Sequence, residues 1–225
     1  MRTVLKFVKI AVDMVMLCLF IYLMCYREIR ALGLHAIMGT VLFGLFFAHH
    51  LLNYKWYKVM FKGKYKCKRV ILLLLNTALW IAMTVMLISS FMMSGAVVDF
   101  GIAMTQFGRD LHICSTAWGF VIMALHLGFH LHALLRKAER KSKGKLWEYA
   151  VYVAVIALAL VGLFGFWKSG LLQDMFLIIV IKEPVSVQTL CLEYVGTVLL
   201  FSVLMHSLLL LHEIISKAKN RYIVK

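Results

Sequence analysis

Proline is almost absent from this sequence: Pro184 is the only one in 225 residues. Acidic residues are also scarce, with 10 Asp and Glu against 25 Lys and Arg, and the mean hydropathy is high at +0.89. Proline interrupts helices, and charge opposes burial in lipid. The shortage of proline and of acidic residues, together with the high hydropathy, therefore excludes a loop-rich soluble fold and favours long apolar helices.

Cysteine motifs and nucleotide-binding motifs are missing as well. None of the five cysteines forms a CxxC pair or a CxxCH motif, so the sequence does not support covalent c-type heme or a locally spaced iron–sulfur site. A membrane-embedded free cysteine is usually a small apolar residue. The absence of a G-x-G-x-x-G domain predicts that this chain does not take electrons from NAD(P)H by itself. The cysteines are Cys18, Cys25, Cys67, Cys114 and Cys191.

Six apolar runs, each with roughly the 20 residues that a bilayer requires, fill most of the chain. We therefore predict an all-α fold, a six-transmembrane-helix bundle with a four-helix heme-binding core, forming one integral membrane domain over 1–225. The first run is longer than a signal peptide core and lacks a small-residue cleavage site. The runs cover about 8–26, 33–54, 70–94, 111–135, 148–167 and 190–214.

The net charge of +15 is distributed unevenly along the chain. With the N-terminus in the cytoplasm, 20 Lys and Arg fall on the cytoplasmic side of the six spans and 5 on the opposite side. The positive-inside rule thus predicts a multi-pass protein of the cell (plasma or inner) membrane with both termini in the cytoplasm. The basic excess is typical of contact with anionic lipid and is no indication of nucleic-acid binding.

Histidines repeat at one spacing in the second and fourth spans. His35 and His49 are 14 residues apart, as are His112 and His126, and the two runs align without gaps. Fourteen helical residues rise roughly 21 Å and return to nearly the same face. Ionisable residues inside a membrane are costly and usually functional. Parallel spans would give an outer pair, His35 with His112, and an inner pair, His49 with His126, able to hold two hemes.

Other histidines compete for the inner position. His50 follows His49 but points about 100° away. His130 lies 18 residues after His112, and that separation of roughly 27 Å would use nearly the whole hydrocarbon core, which favours His126. His206 is an alternative ligand, a propionate or quinone contact, or a hydrogen-bonded core histidine. We expect His130 and His132 to be solvated or in contact with lipid headgroups.

Few acids lie within or beside the spans. Asp13 is expected to reach the inner interface with Lys9. Glu193 and Asp110 are placed for proton release at an outer quinol site. Arg109 fits either a heme propionate or a loop salt bridge.

Small and aromatic residues on the histidine-bearing spans have two interpretations. Glycines let a flat macrocycle approach the backbone, but they are also common in membrane helices. Aromatic residues there fit the lining of a porphyrin, but they are more typical of plain packing. The apolar stretch 171–181 is too short to span the membrane and is predicted to lie at the outer interface. There it would either cover a bound quinone or dock a partner protein, or pack on the bundle as a lid. The residues concerned are Gly39, Gly44, Gly119, Trp118 and Phe46.

Two segments carry a family resemblance. LHAIMGTVLFGLFFAHHLLNYKW and LHICSTAWGFVIMALHLGFHLH, together with Ser94-Gly95 at the end of the third span, resemble the flavinylation-associated membrane cytochromes, within the wider bis-histidine di-heme cytochrome b-like proteins. The resemblance covers about 33–135. It implies b-type heme, electron transfer to extracytoplasmic flavin-bearing (FMN) proteins, and ligand roles for His35, His49, His112 and His126.

The sequence therefore predicts a di-heme b-type cytochrome, an electron-transfer subunit of an oxidoreductase system with no catalytic residue of its own. It would move electrons from quinol or another membrane donor to an extracytoplasmic redox partner. The alternatives are a histidine-rich metal or proton transporter, a ferric-reductase-like membrane subunit, and a structural anchor. Transporters commonly show broken helices around a midplane site, which the unbroken runs here do not indicate.

Overall fold

The computed structural model of the chain describes residues 2–93, 106–139 and 145–223, and these residues are helical with short connections. Ser94-Gly95 and the 95–105 part of the following loop lie outside the described residues. In chain order the helices are α1 Arg2–Met24, α2 Tyr26–Ile29, α3 Leu32–Leu52, α4 Lys55–Met60, α5 Cys67–Met93, α6 Gln106–Glu139, α7 Lys145–Ser169, α8 Leu171–Met175 and α9 Val187–Ile223.

The predicted all-α fold is confirmed for these residues, and apolar helices that could cross a membrane are present. Among the described residues five helices, rather than the predicted six, are long and apolar enough to cross a bilayer: Thr3–Met24, Leu32–Leu52, Cys67–Met93, Gln106–Lys137 and Val187–Lys219. The remaining predicted span corresponds to α7, which has 25 residues and an apolar stretch over Val153–Ser169. The predicted ends agree with the structure to within about three residues at most positions. Helices α1 and α6 begin earlier than predicted, and α6 and α9 continue further at their C-terminal ends.

Helix α6 lies at the centre of the bundle. It packs against α5 on one side and α9 on another, while α9 also packs against α7, and α1 packs against α3. The fully buried ring of Phe120 on α6 meets Phe20 of α1 edge-on at 5.4 Å and Tyr194 of α9 at 5.5 Å, measured between ring centroids. This aromatic contact joins three helices at the core.

The close approach of α6 to α9 depends on Gly128. A β-carbon built there would lie 2.4 Å from the main-chain oxygen of Ser202 and 2.9 Å from the β-carbon of Met205. The Ser202 hydroxyl also donates a hydrogen bond to the carbonyl of Ala124 at 3.0 Å. Small residues that bring backbones together are a common basis for helix association in membranes.

We expect Gly128→Ala to destabilise the protein, because the added methyl group would push the backbones of α6 and α9 apart. The cost of such overpacking is typically about 1–3 kcal/mol. Reversible unfolding in mixed micelles would measure it. Gly33→Ala is the matched control, since a β-carbon there meets nothing within 4 Å. Equal stability of the two variants would contradict the close approach at Gly128.

Candidate functional site: histidines at two ends of the bundle

One pair lies at what we call the His35 end of the bundle. The ring of His35 on α3 faces the ring of His112 on α6, with centroids 6.2 Å apart and planes inclined by 72°. The ring of Tyr26 on α2 also lies against His35, at 4.6 Å between ring centroids. An imidazole nitrogen binds a metal at about 2 Å, so a metal held between two imidazoles would put the ring centroids about 6 Å apart. The observed spacing fits that arrangement.

Two serines orient the His112 ring. The hydroxyls of Ser89 and Ser90 both donate to the carbonyl of Met86, at 2.9 and 2.7 Å, and both oxygens lie 3.3 Å from Nδ1 of His112. Since their protons are already engaged, these oxygens accept from Nδ1–H. The lone pair of the ring then lies on Nε2, the tautomer of a metal-ligating histidine with an outer hydrogen-bond partner. The serines were missed by sequence reasoning, because they lie on a different helix from the histidine.

A carboxylate holds His49 at the opposite end, which we call the His49 end. Nδ1 of His49 lies 2.6 Å from Oδ1 of Asp13 on α1. The ammonium group of Lys9, one turn earlier on α1, donates to the side-chain oxygen of Asn53 at 2.9 Å. Sequence spacing did not indicate the contact of Asp13 with His49, because the two residues are 36 positions apart on different helices. A carboxylate behind Nδ1 leaves Nε2 of His49 free for a metal.

His126 and His130 of α6 lie near enough to His49 and Asp13 for electrostatic interaction, and His126 also lies near enough to His50. The ring centroids of His126 and His130 are 4.7 Å apart. Nδ1 of His126 is buried and has no hydrogen-bond partner among the described residues. His49 therefore has both candidate partners in its neighbourhood. His126 rather than His130 as the inner ligand stays a prediction.

His50 has a different environment. Its Nδ1 lies 2.5 Å from the Tyr57 hydroxyl, and its ring lies edge-on to Phe46 at 4.3 Å and near Trp80 of α5 at 6.2 Å. Its Nε2 is buried without a partner in the described part of the chain. The ring thus packs toward α5, which agrees with the roughly 100° offset expected for adjacent helical residues. Phe46 is a packing residue here.

A second polar cluster lies between α5, α6 and α9, and we call it the Glu213 cluster. The rings of His132 and His206 are 5.1 Å apart, and both side chains are buried. Nε2 of His132 lies 3.2 Å from a Glu213 carboxylate oxygen, and Glu213 also pairs with Lys68 and, at 3.1 Å, with Arg136. His206 therefore belongs to this cluster, and its ring contact is with His132 rather than with the paired histidines.

The solvated position expected for His132 is wrong. Its side chain is only 5% exposed. The reason is that α6 continues to Glu139 and α9 to Ile223, so the two helices still pack together beyond the apolar segments. Beside His132 is an open groove of about 630 Å³, which Phe129, Ala133, Lys137 and the charged groups of the Glu213 cluster line together.

Two glycines of α3 have open surroundings. The backbones of α3 and α6 do not pack closely against each other. β-Carbons built at Gly39 and Gly44 on α3 would meet nothing within 4 Å. Gly119 differs, because its β-carbon would make ordinary contacts with Ala82 and Phe20. Gly39 and Gly44 thus border open space, while Gly119 is a packing position.

The segment 171–181 begins as a lid on the bundle. Leu171 is fully buried, and the carbonyl of Met175 accepts hydrogen bonds from the Trp118 indole at 3.0 Å and the Cys114 thiol at 3.4 Å. Trp118 thereby has a packing role. The rest of the segment is exposed, with Ile179 and Ile181 completely accessible.

The acids expected near an outer quinol site have separate environments. Asp110 accepts a hydrogen bond from Gln106 within α6 at 2.6 Å. One carboxylate oxygen of Glu193 is buried and without a partner in the ranges that the structure describes. The two acids do not share a hydrogen bond in those ranges.

Within 2–93, 106–139 and 145–223, no group of three or more His, Cys, Asp or Glu side chains is placed to hold a metal ion. Comparison with protein-family models, with curated proteins and with solved structures gives no match to this chain. The interpretation of the site therefore depends on its own geometry: two imidazoles facing each other at one end, and a cluster of imidazoles with a carboxylate at the other. Axial ligation of heme needs only two such imidazoles.

Proposed function

We propose that the chain is a di-heme b-type membrane cytochrome that moves electrons along the bundle axis. His35 and His112 would hold one heme, and His49 and His126 the other. The observation that carries the proposal is the His35–His112 pair, whose rings stand 6.2 Å apart with Nδ1 of His112 turned toward two serine oxygens. A heme bound at each end would supply a one-electron carrier.

The chain's own residues would prepare both ends for ligand binding. Ser89 and Ser90 at one end would accept a hydrogen bond from Nδ1–H of His112, and Asp13 at the other would accept one from Nδ1–H of His49. These hydrogen bonds would fix the tautomer of each ring. Such outer partners raise the basicity of the ligating nitrogen. Helical rise alone puts the two positions roughly 20 Å apart along the membrane normal. This separation suits electron passage across a bilayer.

The groove at the His49 end supports a quinol as the electron donor. Oxidation of a quinol to a quinone releases two electrons and two protons, so a quinol site needs proton acceptors beside an apolar surface. Nε2 of His132 accepts a hydrogen bond from the Lys68 ammonium group at 3.2 Å and lies 3.2 Å from a Glu213 carboxylate oxygen, so His132 and Glu213 are the ionisable groups beside the groove. Phe129 and Ala133 would contact the quinone ring.

The positive-inside distribution of charge supports the placement of the His49 end at the cytoplasm and the His35 end outside. Electrons would then leave at the His35 end toward an extracytoplasmic redox partner. A flavin-bearing protein is the partner that the resemblance to flavinylation-associated cytochromes implies.

Heme content is the first test. After expression with ample heme, a pyridine hemochrome assay should give about two b-type hemes per polypeptide, and the visible spectrum should be that of low-spin bis-histidine heme. One heme per chain would limit the proposal to the His35 end. Absence of heme would contradict it and favour the histidine-rich transporter alternative.

Electron transfer is the second test. In liposomes loaded with a quinol, reduction of an impermeant acceptor outside should require the cytochrome and stop when heme is omitted during expression. Reduction of the hemes without any electrons reaching the acceptor, even with a flavoprotein partner present, would contradict transmembrane transfer.

A further inference from the structure

Two of the five cysteines meet at the His35 end. The sulfur of Cys25 lies 3.0 Å from the sulfur of Cys191, although 166 residues separate them in the sequence. Cys25 occupies the break between α1 and α2, and Cys191 lies in the second turn of α9. Sequence spacing gave no indication of this contact.

The remaining cysteines have no such neighbour. Cys18 and Cys67 are exposed, and the Cys114 thiol donates to the carbonyl of Met175. The Cys25–Cys191 contact is therefore the one sulfur–sulfur approach that the described residues present.

The pair is close to the geometry of a disulfide. A disulfide bond is about 2.05 Å long, so the sulfurs need to approach each other by only about 1 Å. Cys25 lies in a turn rather than inside a continuous helix, with φ −78° and ψ 6°. Small backbone rotations there can carry its sulfur toward α9 without moving either long helix.

The two thiols also differ in access. Cys25 is completely buried, and its thiol donates to the carbonyl of Ile21 at 3.3 Å, whereas Cys191 is partly exposed. Reactive cysteines are those that a partner can reach. Cys191 is thus suited to react first and Cys25 to resolve the product.

We propose that Cys25 and Cys191 form a reversible dithiol–disulfide site that exchanges with small-molecule or protein disulfides. The Cys191 thiolate attacks one sulfur of the incoming disulfide, forms a mixed disulfide and releases one thiolate. Cys25 then attacks the Cys191 sulfur, the Cys25–Cys191 bond forms, and the second thiolate leaves. The two leaving thiolates take up the two protons that the cysteines lose, so the incoming disulfide is reduced to two thiols.

The bond would connect the α1–α2 turn to α9. Tyr26 follows Cys25 directly and lies against His35, while the Arg27 guanidinium reaches the carbonyl of Ser169 at 3.4 Å. Oxidation would therefore fix the turn that supports His35. The site does not depend on heme binding and stands independently of the proposed function.

Alkylation of the full chain in detergent micelles tests the proposal. The folded protein is incubated with oxidised glutathione or with dithiothreitol, denatured in SDS, alkylated with a maleimide and weighed by mass spectrometry. We expect three alkylated cysteines after oxidation and all five after reduction, with a Cys25–Cys191 cross-linked peptide in the oxidised sample only. Dithiothreitol added to the folded oxidised protein should restore five.

Matched serine variants identify the pair. Cys191→Ser should show four alkylated cysteines after reduction and no intramolecular cross-link after oxidation. Cys67→Ser, the control, should lose one alkylation in both conditions and still form the cross-link.

Five alkylated cysteines in the oxidised wild-type protein, or a cross-link that maps to another pair, would overturn the proposal. A bond that dithiothreitol opens only after denaturation would overturn its reversibility. The wild-type comparison suffices if a variant fails to fold.

Discussion

His112→Ala is expected to lower the heme content from two to about one per chain. The remaining imidazole at the His35 end would lose its partner across the 6.2 Å gap, and a single axial histidine does not give a low-spin bis-histidine heme. His35→Ala should have the same effect, because either histidine is required. Pyridine hemochrome analysis and the reduced visible spectrum measure the loss, and the spectrum of the other heme should be unchanged.

The serines behind His112 provide a graded version of this experiment. Replacing Ser89 and Ser90 together by alanine removes the acceptors of Nδ1–H and should weaken heme retention at the His35 end. Loss of an outer hydrogen-bond partner typically costs 10–100-fold in metal affinity. His212→Ala is a suitable control, since this histidine of α9 belongs to neither pair. Full heme content in His112→Ala would exclude His112 as a ligand.

At the His49 end, His49→Ala and His126→Ala are each expected to remove the second heme and leave the first. His130→Ala should retain both, since roughly 27 Å from His112 to His130 uses almost the full thickness of the hydrocarbon core. Heme counts and spectra of the three variants decide the assignment. If His130→Ala loses the second heme and His126→Ala retains it, the inner ligand is His130, one turn further along α6.

Asp13 offers a test that sequence alone did not suggest. Asp13→Asn replaces the carboxylate that lies 2.6 Å from Nδ1 of His49 by a weaker acceptor of similar size. We expect reduced heme retention and a raised reduction potential at the His49 end only, since a less basic ligand stabilises the ferric state less. Glu28→Gln, an equivalent change at the opposite end of the bundle, is the control. Identical potentials in wild type and Asp13→Asn would exclude a positioning role for Asp13.

Hydropathy predicted the helices well because the backbone N–H and C=O groups of a segment inside lipid must form hydrogen bonds within that segment, which makes it a helix. The second span was predicted at 33–54 and is α3 Leu32–Leu52. The same reasoning ended the last span at 214, whereas α9 continues to Ile223. Hydropathy indicates where the apolar part of a helix ends. It gives no information on the charged continuation of α9, which follows the ion pairs of Glu213.

The approach of His35 to His112 could be predicted because the period of 14 residues is a local property of each helix. The pairing of His49 with His126 stays a prediction. The groups around these histidines could not be predicted. Asp13, Ser89 and Glu213 each meet their partner from a different helix, and no spacing within one segment encodes such a contact. The same holds for Cys25 and Cys191. The heme itself, the electron donor and the flavin-bearing partner stay predictions that the experiments above address.

The repeat on α3 and α6 also sets a dimension that the membrane cannot change. An α-helix can tilt but cannot stretch, because each residue advances a fixed 1.5 Å or so along its axis. Bilayers of different thickness would therefore alter the tilt of the bundle and the depth of its ends, while the gap between the two histidine positions stays constant. Between two hemes bound as proposed, electron tunnelling should thus proceed at the same rate in thin and thick lipid.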